Sequence, residues 1–174
     1  MAVLAAVLAA GGDLASAGLA MAEMGGLSGR GARHDVAVAG GSVHVIDESY
    51  NANPASMAAT IGQLGLSSGG RRIAVLGAMK ELGDKANHYH SALAAPLAAA
   101  KVDFAILVGQ EMEILAEELK AGVEGPKEFA HCATAQEALA LLQQYLCASD
   151  TILVKGSNSM GLSTIVSALT GGKN

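Results

Sequence analysis

The sequence predicts an α/β protein built on a doubly wound, mostly parallel, Rossmann-like sheet with helices on both faces, preceded by two short helices. Three observations carry this. Arg72–Leu76 (RIAVL), Val102–Val108 (VDFAILV) and Thr151–Val154 (TILV) are short, nearly continuous apolar runs, the pattern of strands buried on both faces. The stretches between them are long enough for the helical crossovers that parallel strands require. The 174 residues are 51% hydrophobic and 16% charged, enough core for about one domain plus an appendage and too little charge for a disordered chain.

Taken in order, Ala2–Ala10 reads as a helix stopped by Gly11-Gly12. Asp13 is placed to cap a second helix running to Met24, which Gly25-Gly26 stops. The first apolar run lacks a preceding Lys or Arg and is broken by Gly11, Gly12 and Asp13. It lacks the positive n-region of a signal peptide and the roughly 20 apolar residues of a membrane span, and is expected to form two short Ala-rich helices with the run that follows. Leu27–His34 (LSGRGARH) is a Gly-rich basic linker. Val36–Ala39 and Ser42–Ile46 flank Gly40-Gly41 as a hairpin. Pro54–Leu66 is a helix with Pro in its first turn. His88–Ala100 is a helix that Pro96 kinks, Glu111–Ala121 is amphipathic, and Glu128–His131 is a short strand. Thr134, with Glu137 three residues on, forms a capping box for a helix to Leu146, and Ser159–Leu169 is the last helix.

With 3% aromatic residues and no Trp, the core must be built from Ala, Val, Leu, Ile and Met. The net charge of -5 and pI near 5.4 give no basic field for nucleic acid or acidic membranes. Cys132 and Cys147 form no CxxC pair and suit small buried hydrophobes in a reducing compartment. His88 and His90, two apart, cannot share a helix face, so no metal site is expected there. His90 reads as a capping or core residue or as a catalytic base, and His88 as surface.

In doubly wound sheets ligands sit at the carboxyl ends of the strands. That directs attention to three loops: Asp47–Pro54, Gly77–His90 and Lys155–Met160. The first packs two carboxylates, a phenol and two amides into a few positions, suited to ribose hydroxyls and a stacked base or, equally, to a polar turn with a helix cap. Lys155-Gly156-Ser157 follows a strand and opens a helix: a cation, a close-approach Gly and free N–H groups suit an anion. No G-x-x-x-x-G-K-[ST] loop and no GxGxxG occurs.

The runs DESYNANPASM, RRIAVLGAMKELG and ILVKGSNSMGL, in this order and spacing, resemble the C-terminal domain of Mur ligases of the MurF type. The resemblance implies residues 1–26 as a helical remnant of a central ATPase domain, 27–34 as a linker with a hinge at Arg30–Arg33, and 35–174 as the C-terminal domain. The chain would then be a piece of a longer cytoplasmic enzyme and inactive by itself. That enzyme would use ATP and Mg, bound mainly by the central domain, to join D-alanyl-D-alanine to UDP-N-acetylmuramoyl-tripeptide in peptidoglycan synthesis. By the same resemblance the nucleotide would meet Arg30, Asp47 or Glu48, Tyr50 and Asn51. The amino substrate would meet Asn53, Lys155, Ser157 and Asn158, with Lys155 a possible catalytic group. The family commonly carries Asp where this chain has Ala78 and Arg where it has Asn158, so two cleft charges are missing. Two other readings stay open: a non-catalytic doubly wound binding module, and a sibling ligase with another amino substrate.

Overall fold

A computed structural model describes residues 2–23, 27–122 and 125–172. Six strands form one sheet in the order β1-β2-β6-β3-β4-β5, with β1 (Ala32–Val38), β2 (Gly41–Glu48), β3 (Arg72–Gly77), β4 (Phe104–Val108), β5 (Glu128–Cys132) and β6 (Thr151–Lys155). Among these strands β1 and β2 pair antiparallel, and the other neighbours pair parallel. The hairpin turns at Ala39-Gly40 and pairs Val38 with Gly41, and its first strand begins at Ala32, inside the expected linker.

Alternation along each strand sorts the core into two layers. Ile46, Ala74, Leu76, Ala105, Leu107 and Leu153 face one side. There they meet α3 (Pro54–Gly65), α5 (Ala94–Ala99) and α6 (Glu113–Lys120), while α4 (Ala86–Ser91) adds the half-buried Tyr89. Val45, Val75, Ile106, Val108, Ile152 and Val154 face the other, under α7 (Ala135–Tyr145) and α8 (Ser163–Leu169). Phe104 is the buried aromatic here, stacked on Tyr145 with ring centroids 4.3 Å apart.

The helix expected over His88–Ala100 is two helices, broken at Ala92-Leu93. Pro96 is the cause: it lacks the N–H that would reach the Ala92 carbonyl, and its ring crowds that carbonyl four residues back. The last helix is likewise shorter than expected, because Gly161 sits at φ +66° and ends a single turn at Asn158–Met160 before α8 begins. Asp13 caps α2 (Leu14–Glu23), its carboxylate accepting from Ser16 N–H at 2.7 Å. The expected stop at Gly25-Gly26 lies outside the described residues. Thr134 caps α7 as expected, but Glu137 reaches Ala133 N–H rather than the capping residue's own.

α1 (Ala2–Ala9) packs against α2, and Val3, Leu8, Leu14, Leu19 and Met21 stay exposed. Among the described residues no helix is long and apolar enough to cross a membrane. The cysteines correct one expectation. Cys132 is buried, but Cys147 is exposed, because it stands in the turn that leads from α7 to β6 and whose N–H is held by Asp150.

Candidate functional site at the carboxyl edge of the sheet

The segment after β2 is held by its own first residues. Asp47 is buried, and its carboxylate accepts from Gly29 N–H at 2.7 Å, Ser49 N–H at 3.1 Å and Ser49 Oγ at 2.6 Å. Gly29 sits at φ +72°, and a side chain there would come within 2.7 Å of Tyr50 Cβ. Its carbonyl in turn accepts from Tyr50 N–H at 3.1 Å. This ties the 27–31 turn to the sheet edge and lays the Arg30 guanidinium 4.3 Å from the centre of the Tyr50 ring, a cation–π distance.

Around that stack opens a pocket of about 260 Å³ lined by Arg30, Glu48, Tyr50, Asn51, Asn53 and Lys155. Of the two carboxylates the sequence offered, Glu48 faces this pocket, whereas Asp47 is spent on Gly29 and Ser49. Asn53 has a structural duty as well: it caps α3, its Oδ1 accepting from Ser56 N–H at 2.9 Å while Ser56 Oγ accepts from Asn53 N–H at 3.1 Å. Pro54 follows at the first helical position, where its missing N–H is harmless.

Lys155 ends β6 and is 1% exposed. Its Nζ donates to the Asn51 carbonyl at 2.8 Å and stands 3.6 Å from Glu48 Oε2. Burial pushes its pKa below the ordinary ammonium range, and the Glu48 carboxylate opposes that shift. Lys155 therefore belongs to the floor of the Tyr50 pocket.

A second pocket, of about 350 Å³, shares Tyr50 and Asn51 with the first and is further lined by Lys80, Glu81, Ser157 and Asn158. Ser157 Oγ accepts from Lys80 N–H at 2.9 Å, and Ser157 N–H donates to the Ala78 carbonyl at 3.2 Å. Gly77 and Gly156 make this crossing possible: a side-chain carbon on Gly156 would lie 2.9 Å from Gly77 Cα. Ala78 is wholly buried and Asn158 exposed.

His90 is completely buried behind this loop. Its Nε2 accepts from Met79 N–H at 2.9 Å, and its Nδ1 donates to the Ala86 carbonyl at 2.8 Å. Burial lowers its pKa, keeping it neutral. Both nitrogens are occupied, so His90 anchors the Gly77–Gly83 loop and does not serve as a base; His88 is exposed. Lys80 and Glu81 are the site residues that sequence reasoning missed. Their only signal was charge in a loop following an apolar strand.

The pockets combine an aromatic ring, a cation and a carboxylate with neighbouring amides, a set suited to a nucleoside beside a small polar ligand. Among the described residues no three His, Cys, Asp or Glu side chains gather to hold a metal ion. Residues 29–158 match the family model described as Mur ligase, glutamate ligase domain. The UDP-N-acetylmuramoyl-tripeptide–D-alanyl-D-alanine ligase of Synechocystis is 36% identical over 130 residues, 75% of this chain and 28% of that protein. The ligase of the same name from Bacillus subtilis is 31% identical over 146 residues, 83% of this chain and 32% of its own length. The chain thus spans under a third of these relatives. Among solved structures, MurF from Acinetobacter baumannii superposes with a TM-score of 0.75 at 28% identity, covering 97% of this chain and 35% of that one. MurF from Thermotoga maritima, solved with ADP, superposes with a TM-score of 0.75 at 21% identity, over 97% of this chain and 36% of that one, and shows the same fold. The family model spans most of the sequence, with every pocket residue named above, and the chain belongs to the Mur ligase family, through its glutamate ligase domain.

Proposed function

We propose that this chain is the C-terminal domain of an ATP-dependent, cytoplasmic MurF-type ligase that joins D-alanyl-D-alanine to UDP-N-acetylmuramoyl-tripeptide. Residues 1–26 are then the last helices of its central ATPase domain and 27–34 the link to the sheet domain. The observation that carries the reading is the pair of pockets sharing the Tyr50-Asn51 wall at the carboxyl edge of the sheet. Two reactants held in pockets that share a wall are held near each other, and proximity is the main service such a domain offers to an acyl transfer.

On this reading the first pocket takes the nucleoside. The Tyr50 face, stiffened by Arg30, stacks on a base, and Glu48 accepts from ribose hydroxyls. Lys155 holds the Asn51 carbonyl and so keeps the wall in place. The second pocket takes the amino substrate among Ser157, Asn158 and Lys80. The sequence has no G-x-x-x-x-G-K-[ST] phosphate loop, and among the described residues no three His, Cys, Asp or Glu side chains gather to hold a metal ion. The proposal therefore assigns the phosphates, the magnesium and the activation of the tripeptide carboxylate to parts of the enzyme outside this chain. What this domain contributes is orientation of the attacking amine and exclusion of water.

Phosphate release tests the proposal. ATP, magnesium, UDP-N-acetylmuramoyl-tripeptide and D-alanyl-D-alanine are supplied to the complete gene product and, separately, to this chain. Turnover by the complete product alone is expected. Turnover by this chain, or none by a well-folded complete product, would overturn it.

A further inference from the structure

The first pocket has a one-sided hydrogen-bonding character, set by two side-chain amides. Asn51 and Asn53 both line it, and both are exposed. Asn51 Oδ1 accepts from Ala52 N–H at 2.8 Å. Asn53 Oδ1 accepts from Ser56 N–H at 2.9 Å as the cap of α3. In each case the partner is a backbone N–H, which only the amide oxygen can accept, so the orientation of both amides is fixed. What each has left for a ligand is its NH2 group, which donates and cannot accept.

The acceptors nearby are already engaged. The Asn51 carbonyl is held by Lys155 Nζ at 2.8 Å. The Asn53 carbonyl accepts from Met57 N–H at 2.9 Å and from Ser56 Oγ at 3.1 Å. Ser56 Oγ also accepts from Asn53 N–H at 3.1 Å, so it is engaged in both directions within the cap. The Arg30 and Lys155 side chains only donate. Among the described residues lining the pocket, Glu48 is the one carboxylate, and it is the group that suits ribose hydroxyls. A base stacked on Tyr50 therefore meets amide donors along its edge.

We infer that Asn51 and Asn53 read the base by its hydrogen-bond acceptors, and that this domain leaves the exocyclic amine of adenine unread. This rests on the reading of the first pocket as the nucleoside site. A 6-oxopurine offers two neighbouring acceptors on one edge, its carbonyl oxygen and a ring nitrogen, where adenine offers the ring nitrogen beside an amine. An amine turned toward donors gives up its water without replacement. The ligand class is a purine nucleoside diphosphate, with the 6-oxo form favoured. Selection of adenine falls to parts of the enzyme outside this chain.

NMR titrations of this chain with ADP and with inosine diphosphate test the inference, in the wild type, Asn51→Asp and Asn53→Asp. Each substitution replaces the NH2 group by an oxygen of the same shape. The other oxygen still accepts from Ala52 or Ser56 N–H, and Asp caps a helix as well as Asn does. The added charge weakens both nucleotides alike through their phosphates. The readout is therefore the ratio of the two affinities, which a merely structural role would not move. In the wild type inosine diphosphate is expected to bind about two- to ten-fold more tightly, the contribution of one further hydrogen bond. In each variant that ratio is expected to fall to about one or below, because the new oxygen accepts from the adenine amine and repels the 6-oxo group. A wild type that does not favour inosine diphosphate, or a ratio unchanged in either variant, would overturn the inference. If both nucleotides shift the Tyr50 and Asn53 amides while the ratio stays put, the nucleoside site stands and the base reading falls. If neither shifts them, the nucleoside reading falls too.

Discussion

Adjacent carboxylates at the end of β2 have opposite tasks, and replacing each in turn separates them. Asp47→Ala strands the Gly29 and Ser49 N–H groups in buried surroundings and removes the acceptor of Ser49 Oγ. Each stranded buried donor costs about 1–3 kcal/mol. Two backbone donors, with a hydroxyl free to turn elsewhere, give roughly 3–5 kcal/mol in all. In a chain of this size about 1 kcal/mol moves the melting midpoint by roughly 2–4 °C, so the expected drop is on the order of 10 °C. Glu48→Gln is different. Its carboxylate makes a 3.6 Å ion pair with Lys155 and is partly exposed, and the amide oxygen keeps a polar neighbour for the ammonium. Its midpoint should move by no more than about 3 °C, while ADP binding weakens. Thermal melts followed by circular dichroism, with ADP titrations on the same samples, measure both effects. An Asp47→Ala protein melting within about 3 °C of wild type, with ADP affinity lost, would refute the assignment and put Asp47 in the pocket.

Two further outcomes follow from the loop anchors. Burial holds the His90 pKa below its unfolded value, so the unfolded chain binds a proton that the folded chain refuses. The associated stability is present above the unfolded value, near 6.5. It is lost as pH falls from there toward the folded pKa. Melts between pH 7.5 and 5 should fall more steeply for wild type than for His90→Gln, and parallel slopes would count against a buried neutral imidazole. Gly156→Ala places a carbon 2.9 Å from Gly77 Cα and 2.8 Å from Leu162 Cδ1. The backbone cannot yield, so a loss of about 1–3 kcal/mol is expected from overpacking. Faster amide exchange at Lys80 and Ser157 should accompany it, and unchanged exchange there would show that the two loops do not depend on this contact.

Much of this was legible in the sequence because its reasons are local. The central strands announce themselves as apolar runs, since burial on both faces removes the need for polar alternation. The three loops at the strand ends are where the pockets lie. What could not be read is what pairing decides. Successive strand residues point to opposite sides, so only one of Asp47 and Glu48 can face the pocket. Which one does depends on the Gly29 turn that comes to meet them, 18 residues earlier in sequence. Lys155 reads from the sequence as a cation at a strand end suited to an anion, but β6 lies between β2 and β3, and its neighbours bury it. Lys80 and Glu81 carry no signal beyond charge in a loop after an apolar strand, because the tie that fastens their loop, Lys80 N–H to Ser157 Oγ, comes from far along the chain. The break at Ala92-Leu93 appears four residues from Pro96 because a proline disturbs the carbonyl behind it, not its own position.

The clamp on Gly29 has a mechanical consequence. A hinge was expected at Arg30–Arg33, but Gly29 is fastened to the sheet through Asp47 and Tyr50, and Ala32 already pairs with Asp47 in the hairpin. Those residues are part of the lever, not its pivot. Arg30 and Tyr50 stand together on the sheet side of this clamp, so this half of the site would be assembled once, when the domain folds, and travel as a finished piece.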